Sequence, residues 1–192
     1  MMKSYRLFLS AVVFLGALTG LVENGTVAYF RNTGAATANA FTSGTVDIAN
    51  SPSSALMSLS DLVPGETITA PLTITNSGTL QLRYALASTV TNSDAKGLGA
   101  QLTLTIKSGV SSCTNVGFGS SGTVLYGAAP LGAIGSSLTL LGTPAAFPNG
   151  GRALNAAANE TLCFQVGLPS ATSAAYQGAT TTATFVFSAQ QI

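Results

Sequence analysis

Between Thr67 and Thr75 apolar and polar side chains alternate residue by residue. Ile68, Ala70, Leu72 and Ile74 fall on one side, and Thr67, Thr69, Pro71, Thr73 and Thr75 on the other. A period of two demands a strand with one buried face. Pro71 has no N–H for a ladder, so one side of this strand is expected to be free there. The pattern recurs after the turn signal Asn76-Ser77-Gly78. Leu80, Leu82, Tyr84, Leu86 and Val90 oppose Gln81, Arg83 and Thr89. Leu102, Leu104 and Ile106 alternate with Thr103, Thr105 and Lys107, and Leu162, Phe164, Val166 and Leu168 with Thr161, Cys163 and Gln165. In the last run Ala183, Phe185 and Phe187 face in, while Thr182, Thr184 and Ser188 face out.

Shorter candidate strands are Phe41–Ile48, Ala55–Leu59, Thr123–Tyr126 and Ser137–Leu141. No long 3.6-residue apolar period follows residue 28, and Ala153–Ala158 makes one helical turn at most. About seven to nine short strands separated by Gly, Pro, Asn and Ser read as one all-β, jelly-roll-like antiparallel sandwich. Gly142–Gly151 and Pro169–Gly178 are the clearest loops.

The first segment reads as a targeting signal. Lys3 and Arg6 precede an apolar run from Leu7 to Val22, and Thr26-Val27-Ala28 offers small residues for a signal peptidase. Cleavage is expected between Ala28 and Tyr29; the alternative is an uncleaved N-terminal anchor. The expected organisation is therefore a signal-peptide helix over 1–28, an N-terminal segment over 29–40 and a sandwich over 41–192. The chain meets the membrane only before cleavage.

Composition narrows the chemistry. Charged residues make up 7% of the chain and hydrophobic ones 46%, and histidine is absent. The commonest general base and the commonest zinc ligand are thus missing. A formal charge of +1 leaves no basic footprint for nucleic acid. After cleavage five basic residues (Arg31, Arg83, Lys96, Lys107, Arg152) balance five acidic ones (Asp47, Asp61, Glu66, Asp94, Glu160). Association between copies then meets no net electrostatic opposition. The carboxylates are scattered singly, and Asp61 and Glu66 flank Pro64-Gly65 as turn residues. No catalytic residue, metal site or cofactor is expected, and no calcium-loop spacing exists. Asp47 has two readings: an ion pair or metal contact at a subunit junction, or an outward edge charge that discourages wrong pairing. Asn159-Glu160-Thr161 matches a glycosylation sequon.

Two cysteines in an exported chain point to a disulfide between Cys113 and Cys163. Two free thiols or an intermolecular bridge are the alternatives.

Several stretches, taken in order, resemble the TasA/camelysin family. They begin with Ala28-Tyr29-Phe30-Arg31-Asn32-Thr33 and Asn39-Ala40-Phe41-Thr42-Ser43-Gly44-Thr45-Val46-Asp47-Ile48. Leu62-Val63-Pro64-Gly65-Glu66 and Leu72 through Leu80 follow. Leu168-Pro169-Ser170, Tyr176-Gln177-Gly178-Ala179 and Phe185–Phe187 complete the set. The resemblance implies a jelly-roll core, export through a dedicated signal peptidase and a role as a subunit of biofilm-matrix or pilus-like filaments. It also implies that the mature N-terminus, Tyr29, Phe30, Arg31, Asn32 and Thr33 onward, adds a strand to the next copy, giving a head-to-tail homopolymer outside the cell. The alternatives are a monomeric surface adhesin or accessory matrix protein, and a camelysin-type metalloendopeptidase, a label some family members carry.

Overall fold

The computed structural model describes residues 44–53, 56, 62–147 and 150–192. The expected signal helix, the cleavage site at Ala28 and Tyr29, and the segment through Phe30, Arg31, Asn32 and Thr33 lie outside them.

The alternating runs form the strands they predict. β1 (Ile48–Ser51), β2 (Thr67–Asn76), β4 (Thr103–Ser108), β5 (Thr123–Pro130) and β9 (Asn159–Gly167) build one sheet in the order β1-β2-β9-β4-β5. The second sheet centres on β3 (Leu82–Val90), which pairs on one side with β10 (Ala183–Gln191). Its other side is covered piecewise by β8 (Arg152–Leu154), β7 (Leu138–Leu141) and β6 (Ala133–Ile134). All pairings are antiparallel except the two-residue contact of β6 with β3. The architecture is the expected all-β sandwich.

The core lies between the sheets. Leu72 and Ile74 of β2, Leu104 and Ile106 of β4, and Leu162 and Phe164 of β9 are buried against Leu82, Tyr84, Leu86 and Val90 of β3. Full burial of one such side chain stabilises by about 1.5–3 kcal/mol. Phe185 and Phe187 of β10 close this layer; Phe185 meets the ring of Phe164 edge-on at 5.2 Å.

Several short elements differ from expectation. The strand expected over Phe41–Ile48 lies at Ile48–Ser51 among the described residues. Thr45–Asp47 instead runs beside the turn after β2, with Ser77 N donating to Asp47 O and Thr79 N to Thr45 O. Asp47 is exposed and precedes the edge strand. Ala153–Ala158 contains no helical turn. Its start belongs to β8, and a tight turn follows in which Ala158 N donates to Asn155 O and Ala157 takes a positive φ of 56°. β6 and β8 are two and three residues long, too short to display any period. Of the expected strand Ala55–Leu59, only Leu56 is among the described residues.

β1 stops at the pair Ser51–Thr73, so among the described residues nothing pairs with β2 at Pro71 on that side. The missing N–H therefore costs no ladder bond there.

Candidate functional site: an apolar groove at one end of the sandwich

At the end of the sandwich where β9 leaves its sheet, a groove of about 740 Å³ opens. Leu98, Leu102 and Leu168 form part of its wall, Leu62, Val63 and Pro64 one lip, and Tyr176 to Thr181 the other. Val63 is exposed and Tyr176 half-buried.

Both lips are tight turns. Glu66 N donates to Val63 O at 3.0 Å, with Pro64 and Gly65 between, and Gly65 has a φ of 97°. Proline second and glycine third is what a type II turn requires, because the third position needs a positive φ. Tyr176-Gln177-Gly178-Ala179 repeats this design: Ala179 N donates to Tyr176 O, Gln177 has φ −57° and ψ 132°, and Gly178 has φ 65°. The first turn is fastened to the sheet by Gly65 N on Leu168 O and Leu168 N on Glu66 O. The second is clamped by Lys96, whose Nζ donates to Gln177 O at 2.8 Å. Four sequence stretches singled out above thus meet at one place.

The carboxylates near the groove serve these turns. Glu66 Oε2 accepts from Val63 N across its own turn. Asp94 accepts the backbone N–H of Thr180 at 2.6 Å and that of Lys96 at 3.0 Å, which holds its carboxyl below the usual carboxylate range. Farther away, Glu160 is paired with Arg152 and accepts from Tyr84. Asp61 lies outside the described residues. Asn159, of the sequon, is exposed at the start of β9, paired with Thr75.

On the outer face of the first sheet, Cys113 is joined to Cys163 by a disulfide with a Cα–Cα distance of 5.6 Å. The loop 109–122 lies over β4 and β9 there, with Phe118 buried in it. Lys107 Nζ donates to Phe118 O at 2.7 Å and stands 4.7 Å above its ring. Cys163 is buried although it faces away from the core, because this loop covers it.

A family model described as camelysin metallo-endopeptidase matches residues 8–110, just over half of the chain. The chain belongs to the camelysin family. Among curated proteins none matches. The match spans the apolar N-terminal run, the Val63–Glu66 turn and the strands up to β4, so it includes one lip of the groove and not the other. The family's description implies a metal, and the donor set of this camelysin-family chain does not fit one. It has no histidine, and both cysteines are oxidised together. Among the described residues no three His, Cys, Asp or Glu side chains come together. Hydrolytic zinc centres need three protein ligands and an open position.

The sequence alone predicts no groove, and Leu98 and Thr180–Thr181 are not singled out in it, since a loop leucine carries no periodic signal. The positive-φ glycines at 65 and 178 were the readable clue. Glycine third in a four-residue stretch, after proline in the first case, marks a type II turn.

Proposed function

We propose that the chain is a secreted structural subunit of extracellular filaments, polymerised by strand donation from the mature N-terminus, Tyr29 to Ala40. The observation that carries the reading is how the fold uses its chemically capable side chains. Glu66 closes a turn, Asp94 ties two loops, Glu160 neutralises Arg152, and the cysteines staple a loop. A chain in which these three acids and both thiols serve structure fits a building block better than a catalyst. Two further features agree. The mature chain carries balanced charge, which favours association of like copies. Gly44 packs closely on Leu80, and Thr45–Asp47 follows the rim at Ser77–Thr79, so the chain enters the sandwich at a sheet edge.

Before cleavage Tyr29 and Phe30 are held by the apolar segment Leu7–Val22, so signal cleavage acts as the assembly switch. Mature protein starting at Tyr29, viewed by negative-stain microscopy, is expected to form fibres. Deleting Tyr29 to Ala38 is expected to leave a folded, soluble monomer without fibres, and Phe30→Asp to weaken assembly by placing a charge in an apolar contact. Normal fibres from the deleted protein would overturn strand donation. A wild-type protein that stays monomeric would favour the adhesin reading. Chelator-sensitive casein cleavage by the pure protein would restore the peptidase reading.

A further inference from the structure

The sandwich has four sheet edges, and they are not alike. β1 is four residues long and framed by Asp47 and Pro52. β5 carries two register shifts against β4, Ala128 at a φ of 41°, and a terminal Pro130. The edge beyond β3 is broken into β8, β7 and β6, none longer than four residues. Short length, bulges, proline and charge are the devices by which sheets avoid unwanted pairing. β10 has none of them. Its nine residues, ATFVFSAQQ, contain no Pro, Gly or charged side chain, and its register with β3 is unbroken. Among the described residues nothing pairs with its outer side.

The hydrogen-bond phase of β10 follows from its flanks. Thr91 N donates to Thr182 O, and Ile192 N donates to Gln81 O. Even-numbered residues therefore turn their backbone groups towards β3. Ala183, Phe185, Phe187, Ala189 and Gln191 turn theirs outward.

Building on the filament reading above, we infer that the outer edge of β10 is the acceptor for the Tyr29–Ala40 segment of a second copy, which adds beside it as a further strand. Twelve residues are enough to cover a nine-residue edge, and with Arg31 as its only charged side chain the segment suits an edge that has none. Main-chain bonds to five outward-facing positions would supply affinity, and side chains on the donor would supply register. The chain's own N-terminal run reaches the sandwich beside Leu80, next to the Ile192–Gln81 contact at the far end of β10. A segment from that point would have to run parallel to its own β10. A second copy is free to pair antiparallel, as this protein's longer strands do.

Two measurements test the acceptor. Ala189→Pro removes an outward N–H and leaves the β3 ladder intact, so its melting curve should stay cooperative. It should raise the critical concentration for assembly about tenfold, the effect of one lost hydrogen bond. Separately, chains carrying Val186→Cys are mixed with chains carrying Asn32→Cys or Thr33→Cys and treated with a short thiol cross-linker. Links between unlike chains through position 186 are expected, and none through Val124→Cys on the β5 edge. Links through position 124 would overturn the inference. So would fibres that need Tyr29–Ala38 yet ignore both β10 variants, a result that leaves filament formation standing. Absence of any assembly by the unmodified mature protein would remove the filament reading and this one together.

Discussion

Tyr84 of one sheet donates its hydroxyl proton to Glu160 of the other across 2.6 Å. Arg152 closes the group, with Nε donating to the same carboxylate oxygen at 3.1 Å and Nη2 to the second. Burial, and then the bond to Glu160, push the Tyr84 phenol well above its ordinary range. Burial alone would raise the Glu160 carboxyl, but the hydrogen bonds from Arg152 and Tyr84 hold it below the usual carboxylate value. The interaction thus joins the two layers by a charge-assisted bond.

Its pH dependence follows. Glu160 is lowered in the folded state, so its contribution is complete above the ordinary carboxylate pKa and is lost as pH falls through the lowered folded value. Tyr84 is raised, so its contribution is complete below the ordinary phenol pKa and declines as pH climbs past it. Urea titrations of Glu160→Gln should show a flatter acid limb and a loss of about 1–3 kcal/mol at neutral pH. Tyr84→Phe should flatten the alkaline limb. An unchanged acid limb in Glu160→Gln would refute the assignment.

Asn76 is fully buried and acts as a hub. Its Nδ2 donates to the carbonyls of Leu80, Leu154 and Asn155, and its Oδ1 accepts from Gly78 N. Asn76→Asp would aim a carboxylate at three carbonyl oxygens, whereas Asn76→Ala leaves them unpaired. Both should destabilise, the second by about 1–3 kcal/mol and the first by more. Chemical denaturation at neutral pH orders them; equal stability of the two variants would contradict the network.

The disulfide closes a sequence separation of 50 residues. On the chain-entropy model a loop of this size contributes about 4 kcal/mol. Cys113→Ser with Cys163→Ala should lower the melting temperature and open the loop 109–122 to proteases. On the proposed filament reading, fibre morphology should persist, because the bond lies on the outer face of the first sheet and away from β10. Non-reducing mass spectrometry of the purified chain should link the two cysteines; two alkylatable thiols would refute the bond.

Glycine substitutions separate strain from collision. At Gly65 a Cβ meets only the Ser170 Cβ at 3.7 Å, so Gly65→Ala should cost about 1–2 kcal/mol, the cost of a positive φ. At Gly78 a Cβ would run into the carbonyl of Thr45. Gly78→Ala should cost more and should free Thr45–Asp47 from the turn, visible as faster amide exchange at Ser77 and Thr79.

The long strands were legible because a half-buried sheet writes its two faces into alternate residues, as Leu72 and Ile74 against Thr73 and Thr75 show. The short ones were not. Ala133–Ile134 and Arg152–Leu154 are defined by what β3 offers them and carry no period of their own. Turn chemistry was readable at Asn76-Ser77-Gly78, but not that Asn76 reaches Leu154 and Asn155, since that contact depends on two distant loops meeting. The same holds for the groove. Its lips were visible as two glycine-bearing turns about a hundred residues apart, and only the fold brings them opposite each other.

Arg152 and Glu160 form the one ion pair among the described residues, and both are largely shielded from water. Elsewhere among the described residues Lys96, Lys107, Arg83, Glu66 and Asp94 bond to uncharged backbone groups, and the remaining fastenings are apolar contacts, neutral hydrogen bonds and one covalent link. Dissolved ions weaken attractions between exposed charges and leave those other forces nearly untouched. The fold should therefore change little in stability between fresh water and brine.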